Sequence, residues 1–315
     1  MSDKIRLGIS ACLLGQTVRY DGGHKLDRFL RDTFGRHVEY VPVCPEAECG
    51  LGTPREPMRL VGEPERPRLV TMHTKIDLTT RMKRWAARRC RELATERLCG
   101  FIFKSRSPSC GTARVPVHAG PGMLLRRGSG LFARAFMERF PTVPVEDDGR
   151  LHDVGRRENF IERLFVFRRW RDAVAAGRPG ALVAFHTRHK LLLMSHSRKH
   201  ARALGALVAR MEEMPRAEFR KRYLAAMTDA MRLLATPAKH ANVLRHVMGY
   251  FRRQLSADEK QELLVVIRAY RAGHVPLIVP VTLLNHYVRK YDQPYLGEQW
   301  YLAPHPLELK LRNHA

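Results

Sequence analysis

Gly100-Phe101-Ile102-Phe103-Lys104-Ser105-Arg106-Ser107-Pro108-Ser109-Cys110-Gly111 is the stretch whose reading decides the fold. Its first four residues form a short apolar run of the kind that makes a buried strand. The rest is a turn rich in hydroxyls that ends in a cysteine. Cys110 is thus delivered just past the C-terminal end of a strand, near two cations, Lys104 and Arg106. Cys12 follows an apolar run at 5–11, and Cys44 follows another at 38–43. Three cysteines therefore share one kind of position.

Outward from this stretch, the first half alternates strands and helices. A short helix is expected over 26–34, a Pro/Gly/Glu-rich loop over 44–67 and a strand over 68–72. A long basic helix follows over 79–98, with Met82, Trp85, Ala86 and Leu93 on one side. A Gly-rich loop at 116–130, a helix at 131–139 and a last strand at 143–145 complete the half. This alternation predicts an α/β, Rossmann-like parallel sheet with helices on both faces. In such sheets sites form outside the carboxyl ends of the strands, where the three cysteines lie.

Glu146-Asp147-Asp148-Gly149 reads as a polar break. It divides a first domain, 1–148, from an all-α second domain, 149–315. Helices are expected there over 157–176, over 181–211 (whole or broken) and over 216–234. Thr236-Pro237 opens one running to 255, and the capping box Ser256 to Glu259 opens one running to 272. A last helix spans 276–291, interrupted at Pro280, and an aromatic tail at 293–306 packs on the bundle.

The formal net charge is +25. Residues 1–150 hold 27 Lys and Arg against 17 Asp and Glu, a net of +10, which leaves +15 for the remainder. Such a field attracts polyanions, most commonly nucleic acid. No run of ~18 apolar residues exists, so no membrane span is expected. The charged start with no apolar leader predicts a cytoplasmic protein. Six cysteines in that setting are not a disulfide framework; buried thiols, a metal site or catalysis remain. No protein partner is evident.

Three thiolates with no histidine nearby suit iron–sulfur chemistry or zinc, and three ligands rather than four leave a metal position open. Ser10-Ala11-Cys12-Leu13-Leu14-Gly15, Arg19-Tyr20-Asp21-Gly22, Cys44-Pro45-Glu46 with Thr53-Pro54-Arg55, and Ser107-Pro108-Ser109-Cys110-Gly111 together resemble the TudS-type thiouracil desulfidase family over about residues 4–148. The resemblance implies that Cys12, Cys44 and Cys110 bind a [4Fe-4S] cluster with one open iron. It implies Glu46 as the catalytic carboxylate and Ser107 as the catalytic hydroxyl. Lys104 and Arg106 are then the nearest cations for an anionic substrate. Cys49 departs from the family pattern and is either inert or an alternative ligand. Cys90 and Cys99 read as core thiols.

The second half carries Phe185-His186-Thr187-Arg188-His189-Lys190, Thr236-Pro237-Ala238-Lys239-His240-Ala241-Asn242 and an apolar stretch from Pro276 to Tyr287. These resemble the YbgA-type domain. Its fusion to a desulfidase domain resembles the RudS-type enzymes, which implies transfer RNA as partner and its 4-thiouridine as substrate. His186, His189 and Lys190 share one helical face and read as solvated or RNA-facing groups. Arg188, Lys190, Arg245 and Arg252 are candidate transfer RNA contacts, the last two placed two turns apart on one helix. On the basic helix, Arg81, Lys83, Arg84, Arg88, Arg89 and Arg91 are either a solvated face or a phosphate ridge.

Overall fold

The fold comes from a computed structural model, which describes residues 4–120 and 122–314. The chain divides into two compact units, Met1–Asp153 and Val154–Ala315.

The first unit is built on a four-stranded parallel sheet. Its strands are β1 (Ile5–Ser10), β2 (Val38–Val43), β5 (Phe101–Phe103) and β8 (Val145–Asp147), in the order β2-β1-β5-β8. Ser10 pairs with Val43, and Ile9 with Ile102, so three strands end almost level at one edge. Phe101 and Phe103 project from one face of β5 and stack at 4.1 Å between centroids. Phe132 and Phe136 of α2 (Leu131–Arg139) pack edge-on or tilted against them, and Trp85 of α1 (Thr79–Thr95) packs on Phe132. Gly8 makes room for this layer, since a Cβ there would stand 2.2 Å from the Phe101 ring.

A second sheet departs from expectation. β3 (Met58–Val61), β4 (Arg68–Thr71), β6 (Val115–Gly120) and β7 (Met123–Gly128) assemble in the order β4-β3-β6-β7. The strand expected at 68–72 lies here rather than in the parallel sheet. Two expected loops, 44–67 and 116–130, contribute strands. Their Pro and Gly residues read as breakers, but Leu60, Val115 and Val117 are fully buried and the β6–β7 register shifts accommodate the irregular residues. The acidic break expected at 146–149 is also corrected. Glu146 and Asp147 belong to β8 and are buried, because Thr112, Arg150 and backbone N–H groups occupy their carboxylates.

The second unit is helical: α3 (Val154–Ala175), α4 (Pro179–His196), α5 (Arg198–Ala209), α6 (Arg216–Arg232), α7 (Pro237–Met248), α8 (Ala257–Arg271), α9 (Ile278–Lys290) and the short α10 (Pro294–Gly297). The expected long helix over 181–211 breaks at Ser197, whose extended backbone ends α4 while its hydroxyl caps α5. Thr236 caps α7, and the full capping box opens α8. Pro280 sits in the first turn of α9, where no intrahelical N–H is needed, so it interrupts nothing. The helix expected to reach 255 stops at Met248 before Gly249 and tightens into a turn at Gly249–Phe251. Arg245 and Arg252 therefore do not share one helix. Trp170, Phe185, Tyr223, Tyr287 and Tyr301 anchor the core. Among the described residues, no helix is long and apolar enough to cross a membrane.

Candidate active site

The level strand ends deliver their following segments to one cavity of about 400 Å³. Cys12, Cys44, Glu46, Lys104, Arg106, Ser107 and Cys110 all line it. Cys12 and Cys110 are buried and Cys44 is half-buried; all three are free thiols. Burial pushes Cys12 up to about 11, helped by the neighbouring Cys44. Burial drives Cys110 well up too, opposed by a hydrogen bond from Ser10. These thiols are protonated at neutral pH and would release protons on binding a thiophilic metal.

The only group of three candidate metal donors within 4.8 Å of one another, among the described residues, is Glu158, Glu162 and His305 of the second unit. The three thiols are therefore more widely spread than a single zinc ion requires, since Zn–S bonds of about 2.3 Å hold tetrahedral sulfurs about 3.8 Å apart. Three free thiols lining one cavity are donors of the type that iron–sulfur clusters use.

Glu46 is fixed on both oxygens. Arg55 donates to Oε2 through Nη2 at 2.5 Å and Nε at 3.0 Å. Ser109 Oγ donates to Oε1 at 2.6 Å. Arg55 also donates to the carbonyls of Val18 and Gly52, so its fork is held from two sides. Ser107 Oγ accepts from the N–H groups of Cys110 at 3.1 Å and Ser109 at 3.3 Å, and lies 3.0 Å from Ser109 Oγ. Because the single Ser109 proton goes to Glu46, Ser109 accepts from Ser107. The result is a directed chain, Ser107 to Ser109 to Glu46, clamped at its end by Arg55.

The turn carrying Ser107 and Cys110 is fixed from below. Leu131 N–H donates to the Pro108 carbonyl, and Phe132 and Ala133 N–H to that of Ser109, so the N-terminus of α2 is satisfied by the turn. Gly130 permits this contact: a Cβ there would lie 2.4 Å from the Ser109 carbonyl carbon. Ser10 Oγ accepts the Lys104 N–H at 2.9 Å and hydrogen-bonds Cys110, tying β1 to the turn.

The two expected cations divide. Lys104 is engaged by Asp148 at 2.8 Å and by Ser105 Oγ at 3.0 Å, so it organises the turn and is not an unpaired cation awaiting a ligand. Burial would raise Asp148, but its bonds from Lys104 and the Ser105 N–H hold it below the usual carboxylate range. Arg106 is exposed at the cavity wall with a left-handed φ of 58°. Cys49 does not line the cavity; its thiol donates to the Glu46 carbonyl. Cys90 and Cys99 are buried. Arg81 donates to the Cys49 and Gly50 carbonyls and Arg89 pairs with Glu48, so part of the basic helix braces the Cys44 loop.

Sequence reading missed Arg55, Ser109 and Ser10. Each stands within a quoted motif, and what was lacking was the direction of its hydrogen bonds. In the second unit, His189 is corrected. It is buried, donates from Nδ1 to the Phe185 carbonyl at 2.7 Å, and is pushed down to about 3 by burial. His186 is also buried, bonded to Tyr223 Oη at 2.9 Å and pushed down to about 4. Neither is a solvated cation. Arg188 pairs with Glu298 at 3.2 Å, Lys190 is exposed on a cleft, Arg245 is half-buried and Arg252 is exposed.

Comparison with known proteins follows this division. The family model described as 2-thiouracil desulfurase matches residues 7–148, and that described as a protein of unknown function, DUF1722, matches 190–306. The uncharacterized protein YbgA of Escherichia coli (strain K12) is 34% identical over 135 residues, 42% of this chain and 80% of that protein. The uncharacterized protein YbbK of Bacillus subtilis (strain 168) is 30% identical over 110 residues, 33% of this chain and 72% of that protein. A solved structure titled as the [4Fe-4S]-dependent thiouracil desulfidase TudS is 30% identical, covering 48% of this chain and 95% of that one, with a TM-score of 0.41. The chain belongs to the 2-thiouracil desulfurase family through its first half and to the YbgA-like DUF1722 family through its second.

Proposed function

We propose that the protein is an iron–sulfur-dependent desulfidase that converts 4-thiouridine in transfer RNA to uridine, releasing hydrosulfide. The observation that carries this reading is the meeting of three thiols and the Ser107–Ser109–Glu46 chain around one cavity. Cys12, Cys44 and Cys110 would hold a [4Fe-4S] cluster. When bound, such a cluster supplies an iron that acts as a Lewis acid toward a soft thiocarbonyl sulfur.

The remaining work falls to the chain. Glu46 Oε1 carries one hydrogen bond and keeps acceptor capacity for a water. It takes that water's proton as the oxygen adds to the ring carbon. Arg55 keeps the carboxylate aimed while Oε1 does so. Ser107 can turn its proton from Ser109 toward the substrate and help hold the ring's polar edge. Lys104 fixes the turn through Asp148, and Arg106 stands ready for a phosphate. Water supplies the incoming oxygen, sulfur departs as hydrosulfide, and no net electron transfer is needed. The basic second half, +15 beyond residue 150, supports a macromolecular polyanion as the carrier of the thiolated base. The reading places turnover in the cytoplasm, where transfer RNA is found.

A cavity of about 400 Å³ also accepts a free base or nucleotide, which favours thiouracil as the second reading. The test is anaerobic reconstitution with iron and sulfide, followed by incubation with bulk transfer RNA or free thiouracil and nucleoside analysis. Loss of 4-thiouridine with gain of uridine is expected. Unchanged 4-thiouridine with consumed thiouracil would select the second reading. No change in either would indicate a non-catalytic iron–sulfur RNA-binding regulator.

A further inference from the structure

A separate cleft in the second unit lies among α4, α5, α7 and α10, with a volume of about 570 Å³. Lys190, Arg198 and Arg202 line it, all exposed. Three other cations of this unit sit against carboxylates: Arg168 on Asp172, Arg222 on Glu218 and Arg232 on Asp229. Among the described residues, no carboxylate lies within ion-pair distance of the cleft's three cations. Three like charges converging on one concavity without a counter-charge make a local anion-seeking field. Burial lowers His246 on the cleft wall, and the charges of Lys190 and Arg198 lower it further.

Two further features concern shape. Tyr295 lines the cleft, and its ring stacks on Tyr250 at 5.4 Å and 21°. An aromatic pair beside phosphate-seeking cations suits an unstacked base, the way single-stranded nucleic acid is commonly held. Gly205 stands inside α5, where glycine is the poorest non-proline helix former. A Cβ there would meet His186 Nε2 at 3.6 Å, so the missing side chain keeps the cleft floor open.

We infer that this cleft binds an RNA strand, with its phosphates on Lys190, Arg198 and Arg202 and one unstacked base against Tyr295 over Gly205. The inference rests on the reading above that RNA carries the substrate.

The test uses the full chain and an unmodified transfer RNA transcript, with affinity measured across a salt series. The variant Lys190→Gln/Arg198→Gln/Arg202→Gln loses about tenfold or more in affinity at moderate salt, and its log–log salt slope flattens by about 2 to 3. The charge-matched variant Arg168→Gln/Arg222→Gln/Arg232→Gln binds as wild type. Gly205→Leu, with its fold checked by circular dichroism and melting, loses severalfold in affinity with an unchanged salt slope, because the floor is filled and the cations remain. Wild-type chain that fails to bind the transcript overturns the RNA reading and this site with it. Wild-type binding with no loss in the cleft variant, or equal loss in the charge-matched control, overturns the cleft alone. Wild-type-like binding by Gly205→Leu overturns the base position, and full competition by uridine monophosphate replaces RNA with a small nucleotide.

Discussion

The two cavities of this protein treat charge in opposite ways. At the strand ends of the first unit, two of the cations lining the cavity are engaged, Arg55 by Glu46 and Lys104 by Asp148, while Arg106 stays exposed. In the helical unit's cleft, Lys190, Arg198 and Arg202 face water without a carboxylate among the described residues. The difference teaches what each charge is for. A paired, half-buried cation is fixed in direction and so can fix its neighbours, which suits a site where geometry controls a proton. An unpaired, exposed cation keeps its field for something that arrives, which suits capture of a polyanion.

The sharpest break of this comparison removes a thiol. Cys12→Ser, Cys44→Ser or Cys110→Ser abolishes both the brown colour of the reconstituted protein and its desulfidase activity; a variant that keeps both would remove that cysteine from the ligand set. Next in size is the carboxylate. Glu46→Gln keeps the colour and lowers turnover about 10²- to 10⁴-fold, with normal turnover counting against a base at this position. Smaller losses follow from the groups that aim it. Arg55→Lys, which cannot form the two-pronged contact, and Ser109→Ala each cost about 10- to 100-fold in turnover. Restored activity in neither, together with loss of the cluster, would instead make them structural supports of the cavity.

The smallest effect sharpens the helical side. Burial pushes His189 and His240 down to about 3 each, so the folded state holds them neutral. An unfolded chain protonates them near pH 6.5, so it binds more protons than the native state below that value. Stability is therefore fully present above about pH 6.5 and is lost as pH falls toward the native values, by up to about 1.4 kcal/mol per pH unit for each group. Melting of the full chain between pH 7 and 5 should show the transition falling steadily, and His189→Gln should reduce the slope. A flat profile would contradict neutral burial.

Much of the parallel sheet was legible. Apolar runs followed by hydroxyl-rich or proline turns placed Cys12, Cys44 and Cys110 at strand ends, because a buried parallel strand is a local signal. The second sheet was not legible. Leu60, Val115 and Val117 are buried only because non-adjacent segments pair, and Pro and Gly near them carry the local signature of loops. His189 failed for a related reason. Spacing on a helix tells which residues share a face and leaves open which face meets the core.

The sequence by itself determined the thiols, the carboxylate, the basic balance and the two-part family membership, because these depend on residue identity and short spacing. Tertiary structure alone decided that Lys104 is spent on Asp148 while Lys190 is not, that Arg55 and Ser109 aim Glu46, and that Ser10 reaches Cys110. Those outcomes rest on contacts between residues far apart in the sequence, Ser109 and Glu46 being 63 positions apart, and hydrogen-bond direction is set only when such distant groups meet.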